Sequence, residues 1–460
     1  MKDILRKTID VAESFGSEYS EIRAQELHKT ILTLKEERVE AVRQGLEKGA
    51  ALRVLVDGAW GFATVGTLDS GILAEAVTDA CKMARAASTT IKTPIKLVET
   101  KTIVDKTAKK PRRDPKEIPI EEKIKTTLQT SKTALNYSKS VKGCTADYLD
   151  LTGRSYFMNN QNTYIEQDKL YIWTRILVTA KEAEIFTSSR EEVGSTAGYE
   201  VFDTETPEIV GERAAKRAVD QLKAKTPKGG TFPAVLGPNI VGVFVHEAFG
   251  HLAEADLTLS GSVLLNKVGK KIASNVVTFY DDGTIDGAFG SFKYDDEGIT
   301  SQKTLLVEDG VVVGLMHNRE TATRFNAKPT GNARAEDFRV EPIVRMRNTY
   351  LKPRDHSFQE LLSSIKFGYY LKSFRGGQAN LDGTFQVGVQ EAYEIVQGEI
   401  GSPVRNASIS GNTLETLLKV DAVGKDFELW PGRCGKGQTA FICDGGPHTR
   451  VKEVLIGGSA

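Results

Sequence analysis

The alternation of apolar and polar positions divides the chain into recognisable pieces. Residues 2 to 15 carry apolar residues at three- and four-residue spacing and end at Gly16, which predicts an amphipathic helix. Residues 18 to 66 change to period two, with Asp57-Gly58 between two apolar runs, the signal of a β-hairpin. Leu73, Ala76, Val77 and Cys81 restore helical spacing over 69 to 87. The charged, proline-containing stretch KTAKKPRRDPKEIP near 106 to 119 reads as a solvated loop. A helix is predicted near 120 to 137, strand-like runs from LTGRSYFMNN through EIFTSSRE, and a further helix near 206 to 223. Lysines, prolines and glycines cluster in KTPKGGTFP, 225 to 233, the best candidate for a boundary. The second half opens with a strand, a turn and a helix in AVLGPNIVGVFVHEAFGHLAEA. Glycine-punctuated strand patterns dominate from residue 258 onward, with consecutive hairpins expected over 376 to 411. The expected fold is α+β in two domains. An N-terminal domain, 1–225, combines antiparallel sheet with helices, and a mostly antiparallel β domain, 230–460, carries the helix described next.

At 460 residues the chain exceeds one ordinary core, in keeping with more than one domain. Lys plus Arg equals Asp plus Glu, 61 of each, so no basic excess argues for a nucleic-acid or acidic-lipid partner. No apolar run reaches the roughly 20 residues of a membrane span, and the N-terminal segment lacks the pattern of a signal peptide. Four scattered cysteines, Cys81, Cys144, Cys434 and Cys443, suggest a reducing cytoplasm rather than a disulfide framework.

The chemistry concentrates in VFVHEAFGHLAEAD, residues 243 to 256. Imidazole is the commonest metal ligand, and Glu247 beside His246 is placed to take a proton from water. Zinc peptidases commonly carry H-E-x-x-H, whereas His246 and His251 stand five apart, as H-E-x-x-x-H. In a straight helix they would point about 140° apart, while Val245, Phe249 and Leu252 would form an apolar stripe. A π-bulge, which Gly250 would tolerate, turns both imidazoles toward one ion. A catalytic zinc site usually has three protein ligands. Spacing alone leaves Glu254, Asp256, His317, His448, Cys434 and Cys443 open as the third.

Four segments together resemble the TldD/PmbA family of metallopeptidases (peptidase family U62), more closely its TldD branch. They are VRQGLEKGAALRVLVDGAWGFATV at 42 to 65, HEAFGHLAEAD at 246 to 256, TGNARAEDF at 330 to 338, and the pair GNTLETL at 411 to 417 with PGRCGKGQ at 431 to 438. They span nearly the whole chain in the family's order. The resemblance implies Zn²⁺ held by His246, His251 and Cys434, with Glu247 as the catalytic glutamate. Glu254 and Asp256 would orient the imidazoles. It also implies unfolded or short peptides as substrate and a dimer, either a homodimer or a heterodimer with a related subunit. Asn332, Arg334 and Tyr393 become expected site-wall residues. The family usually continues after PGRCGKGQ with a valine-rich strand, where this chain has TAFICDGGPHTR. That departure leaves Cys443, His448 and Glu254 open as metal-site participants. The glycine-rich strands at 376 to 390 offer edges to an extended peptide. The competing reading is a non-catalytic peptide-binding subunit with a structural metal.

Overall fold

The period-two stretch near the N-terminus becomes one long antiparallel meander. The computed structural model describes residues 1–458. Helix α1 (Lys2–Ser14) buries Leu5, Ile9 and Ala12 against it. Strands β1 (Tyr19–Lys35), β2 (Arg38–Val56) and β3 (Ala59–Val65) follow in antiparallel register. Asp57 and Gly58 turn β2 into β3 with φ of 49° and 73°. Both signs are positive, as a two-residue hairpin of this hand requires. Helix α2 (Ser70–Ser88) starts where the Asp69 carboxylate accepts the N–H groups of Gly71 and Ile72. It packs Leu73, Val77, Ala80 and Ala84 onto the same core.

The sheet is completed by β4 (Val104–Thr107), β5 (Val141–Asn159), β6 (Tyr164–Glu182) and β7 (Ile185–Ser195), with helix α3 (Ile120–Asn136) before β5 and α4 (Pro207–Asp220) after β7. The order is β3-β2-β1-β5-β6, and β4 and β7 both pair with β6. The charged stretch near 106 is thus not entirely loop. Its first residues lie in β4, a short edge strand parallel to β6. Helices α3 and α4 bury alanines 134, 214, 215 and 218 against Val141, Ile176 and Val178.

Residues 230 to 458 form the remaining sheets. The strands are β8 (Gly230–Leu236), β9 (Phe279–Asp282), β10 (Lys303–Glu308), β11 (Val311–Val312), β12 (Ala333–Arg334), β13 (Ile343–Val344), β14 (Asn348–Leu351), β15 (Phe367–Ala379), β16 (Thr384–Val396), β17 (Glu399–Val404), β18 (Ala407–Asn412), β19 (Val420–Val423), β20 (Glu428–Gly435), β21 (Thr439–Gly446) and β22 (Thr449–Gly458). The expected run of hairpins is β15 to β18. Strands β15, β8, β22, β18 and β16 close on themselves, because β16 also pairs with β15. A second sheet runs β11-β10-β9-β14-β21-β20. Pairing is antiparallel except for β8–β15 and β14–β21. The glycine-punctuated segment VVTFYDDGTIDGAFG yields only the four residues of β9, less strand than its pattern suggests. The Asp282 carboxylate accepts from the Thr284 N–H and hydroxyl and turns the chain out of the sheet.

Leu236, Leu371, Val387, Ile409 and Val451 point into the closed circuit. Val245, Phe249 and Leu252 of the motif helix join that same core, and Phe244 meets Phe385 edge-on with ring centroids 5.3 Å apart. The apolar stripe read from the motif therefore anchors the helix, leaving its polar residues for the opposite side. Among the described residues no helix is long and apolar enough to cross a membrane.

Candidate metal centre

The motif helix enters as α5 (Pro238–Val243), with Pro238 at its first position, where a missing N–H costs nothing. It then widens into a π turn over Phe244–Gly250 and tightens into a 3₁₀ turn over His251–Ala253. The His251 N–H bonds to the His246 carbonyl, a five-residue step. The two imidazoles consequently meet with ring centroids 5.0 Å apart. The bulge predicted from the spacing is present.

Gly250 has an additional role. Its φ is an ordinary −57°, but a Cβ there would lie 2.1 Å from Met346 Sδ. A Cβ on Gly242 would lie 2.4 Å from the Gly445 nitrogen. Gly242 thus lets the helix press closely against β21 of the second sheet, and Gly250 leaves room for the Met346 side chain just before β14. That sheet carries Cys434 on β20, paired with Ala440 on β21.

Cys434 Sγ lies 3.0 Å from His246 Nε2 and 3.3 Å from His251 Nε2. Nitrogen and sulfur ligands of one tetrahedral zinc ion sit about 3.5 Å apart, so the donor set fits that ion with a small expansion. Among the described residues this is the one cluster of His, Cys, Asp and Glu with three donor atoms this close, all within 4.8 Å. Burial opposes charge on all three groups, but their mutual attraction prevails. His246 and His251 bring the Cys434 thiol down to about 4. Glu254 and Cys434 raise His251 to about 10, and Cys434 and Glu247 raise His246. A thiolate flanked by imidazoles is the ligand chemistry of zinc and other borderline or soft ions.

Neighbouring groups fix this arrangement. Glu254, fully buried, accepts from His251 Nδ1 at 2.9 Å and faces Lys436 Nζ at 3.1 Å. It orients one imidazole through the nitrogen turned away from the thiolate. Asp256 pairs instead with Lys436 at 2.7 Å. Among the described residues His246 Nδ1 has no protein partner. Arg345 Nη2 donates to the Cys434 carbonyl at 2.8 Å, and Asn332 Nδ2 donates to the Arg345 carbonyl at 2.9 Å.

The other candidate ligands lie in separate environments. Cys443 Sγ accepts the Phe289 N–H, and burial pushes its thiol up to about 12. His448 sits between Asp426, 2.7 Å from Nδ1, and the Tyr370 hydroxyl, 2.9 Å from Nε2. His317 is buried beside Thr321 and Phe325, and burial alone lowers it to about 4 from 6.5. The unfolded chain therefore binds this proton first as the pH drops. The associated stability is complete above pH 6.5 and is lost as the pH falls toward 4. The slope is about 1.4 kcal/mol per pH unit. His317→Gln should flatten the fall of melting temperature across that window. An unchanged slope would contradict a buried neutral imidazole.

Glu247 is half-buried, with Oε2 3.9 Å from His251 Nε2. It opens with His246 and Cys434 onto a cleft of about 480 Å³, walled by Trp173, Arg190, Phe374, Gly376, Gly377 and Trp430. Asp444, buried on β21, also faces this cleft. Burial, Glu247 and Cys434 raise its carboxyl to about 7 against the opposing pull of His246. Reasoning from the sequence missed Asp444, whose only signal was the unusual segment TAFICDGGPH. Asn332, Arg334 and Tyr393 do not line the cleft. Asn332 and Arg334 instead hold backbone carbonyls, and the Tyr393 hydroxyl donates to Glu391.

Comparison with known proteins agrees with the geometry. The chain matches the PmbA/TldA metallopeptidase domain 1 over residues 20–88, the central domain over 113–222 and the C-terminal domain over 229–458. It is 40% identical to a Methanothermobacter thermautotrophicus protein named metalloprotease, over 96% of each chain. It is 33% identical to a Saccharolobus solfataricus protein named zinc metalloprotease TldD homolog, over 98% of this chain and 99% of that one. The crystal structure of TldE from Thermococcus kodakarensis superposes with a TM-score of 0.78 over 99% of this chain and all of the other, at 21% identity. With matches running from residue 20 to 458 and full-length relatives above 30% identity, this chain belongs to the PmbA/TldD metallopeptidase family.

Proposed function

We propose that the chain hydrolyses peptide bonds in unfolded or short peptides, using Zn²⁺ held by His246, His251 and Cys434. The observation that carries this reading is the convergence of these three donors beside the half-buried carboxylate of Glu247. When bound, zinc lowers the pKa of water and polarises a carbonyl. Glu247 takes the proton of the attacking water and returns it to the leaving amine nitrogen. Glu254 keeps the His251 ring oriented, and Arg345 holds the backbone of Cys434. The cleft wall excludes bulk water from one side of the reacting peptide.

Gly376 and Gly377 on β15 support a main-chain mode of substrate binding. They face the cleft, while β15 pairs with β8 only at residues 369 to 371. The remaining edge can take an extended peptide as an added strand, with little preference for side chains. A partner subunit of the same fold, either a second copy or a related chain, goes with this reading, as the family resemblance implies.

Incubation with an unstructured peptide tests this reading. Cleavage is expected to stop with a chelator and to return on adding zinc. Binding without cleavage in the zinc-loaded protein would instead establish a peptide-binding module.

A further inference from the structure

A second space, apart from the metal cleft, lies between β1, β5 and β6 and the segments 292–296 and 334–338. This cavity has a volume of about 130 Å³. A single water needs roughly 10–15 Å³ on this measure, so there is room for on the order of ten non-hydrogen atoms. Four guanidinium groups line it; Arg345 is committed to the Gln438 and Cys434 carbonyls and Arg433 also borders the metal cleft, which leaves Arg23 and Arg334, only 9% and 8% exposed. Arg23 Nη2 donates to the Val340 carbonyl at 2.6 Å. Arg334 donates to the Met346 and Phe441 carbonyls at 2.6 and 2.7 Å. Each group carries five N–H donors, so most remain unspent. Among the described residues neither forms an ion pair with a carboxylate.

The way the lining charges pair leaves Arg23 and Arg334 open to an anion. Burial works against the Asp296 carboxylate, but Lys169, Arg23 and Arg334 together hold it below its usual range. Of the other carboxylates on the lining, Glu47 is paired with Lys29 and Asp337 with Arg339. The neighbouring Asp295 turns both oxygens to the backbone N–H groups of Glu297, Ile299 and Ala333 and pairs with neither arginine. A buried guanidinium without a counter-ion is costly, and its planar fork matches a carboxylate. Apolar surface completes the cavity. The Phe292 ring lies 5.2 Å from the Arg334 guanidinium, and Tyr171 and Phe441 meet with ring centroids 4.9 Å apart on another wall.

We propose that this cavity binds a small organic carboxylate with an aromatic or apolar body. Arg23 and Arg334 take the carboxylate, and Phe292, Tyr171 and Phe441 cover the body. The cavity holds none of the proposed metal donors, although Arg433 and Thr439 border both spaces and Arg345, which holds the Cys434 carbonyl, lines this one.

Calorimetric titration of the zinc-loaded full chain with 3-phenylpropanoate and with its neutral amide tests the assignment. The acid is expected to bind one per chain, with the amide at least tenfold weaker. Arg23→Met should weaken the acid at least tenfold by removing charge. Ser155→Leu, which fills the cavity and keeps both arginines, should do the same if Arg23→Met fails to fold. Absence of binding up to about 10 mM, equal binding of acid and amide, or unchanged affinity in both variants would overturn the proposal. Displacement of the acid by acetohydroxamate would place it in the metal cleft and would also overturn it. Heat of binding needs no turnover, so this result stands or falls separately from the proposed hydrolysis.

Discussion

Glu247→Gln should leave the zinc content of the purified protein unchanged while lowering peptide turnover roughly 10²- to 10⁴-fold, the usual range for a lost general base. The side chains are nearly isosteric, and Glu247 is half-buried rather than part of the core. It is also not one of the three clustered donors. The carboxamide cannot accept the water proton, so the loss should appear in kcat. Metal analysis and steady-state kinetics on the same preparation check both halves. Full activity would remove Glu247 from the mechanism and direct attention to Asp444, which shares the cleft with a carboxyl at about 7. The pair Glu247→Gln and Asp444→Asn therefore separates the two carboxylates.

The second large effect is expected from Cys434→Ala. Outer groups that only orient a ligand typically cost 10- to 100-fold in metal affinity when removed. Loss of one of three direct donors should exceed about 100-fold by the same measure. Dialysed protein should then hold little zinc and cleave little peptide. Zinc retained at the level of the unaltered protein would refute the ligand set. Cys434 is buried, so thermal melting should accompany the metal measurement to distinguish a lost ligand from a lost fold.

These residues also mark how much of the molecule could be read in advance. His246, Glu247 and His251 stand within six positions, so their periodicity on a helix was enough to predict the bulge that aligns them. The helices α1 to α4 and the Asp57-Gly58 hairpin were legible for the same reason, since each is set by neighbours in sequence. Cys434 was different. Spacing left it among six candidates, barely ahead of Glu254, and it was the family resemblance that decided between them. Its contact with His246 spans 188 positions and depends on how β20 and β21 register against β14. Asp444, the Lys436–Glu254 pair and the Arg345 bond to the Cys434 carbonyl depend on the same register, so no local pattern announced them. The brevity of β9 escaped notice for a smaller reason. Its apolar pattern was correct, but the Asp282 side chain competes for the backbone and ends the strand.

The separation between the two parts of the donor cluster has a consequence for the cell that makes the protein. His251 and Cys434 lie 183 positions apart. At about 5–20 residues per second, a ribosome needs roughly 10–40 s to travel from one to the other. Throughout that interval the nascent chain presents its histidines and glutamate without the thiolate. An enzyme that attacks unfolded polypeptide would be dangerous to its own synthesis and to neighbouring unfinished chains. On the proposed ligand set, late delivery of Cys434 makes translation itself a safety delay.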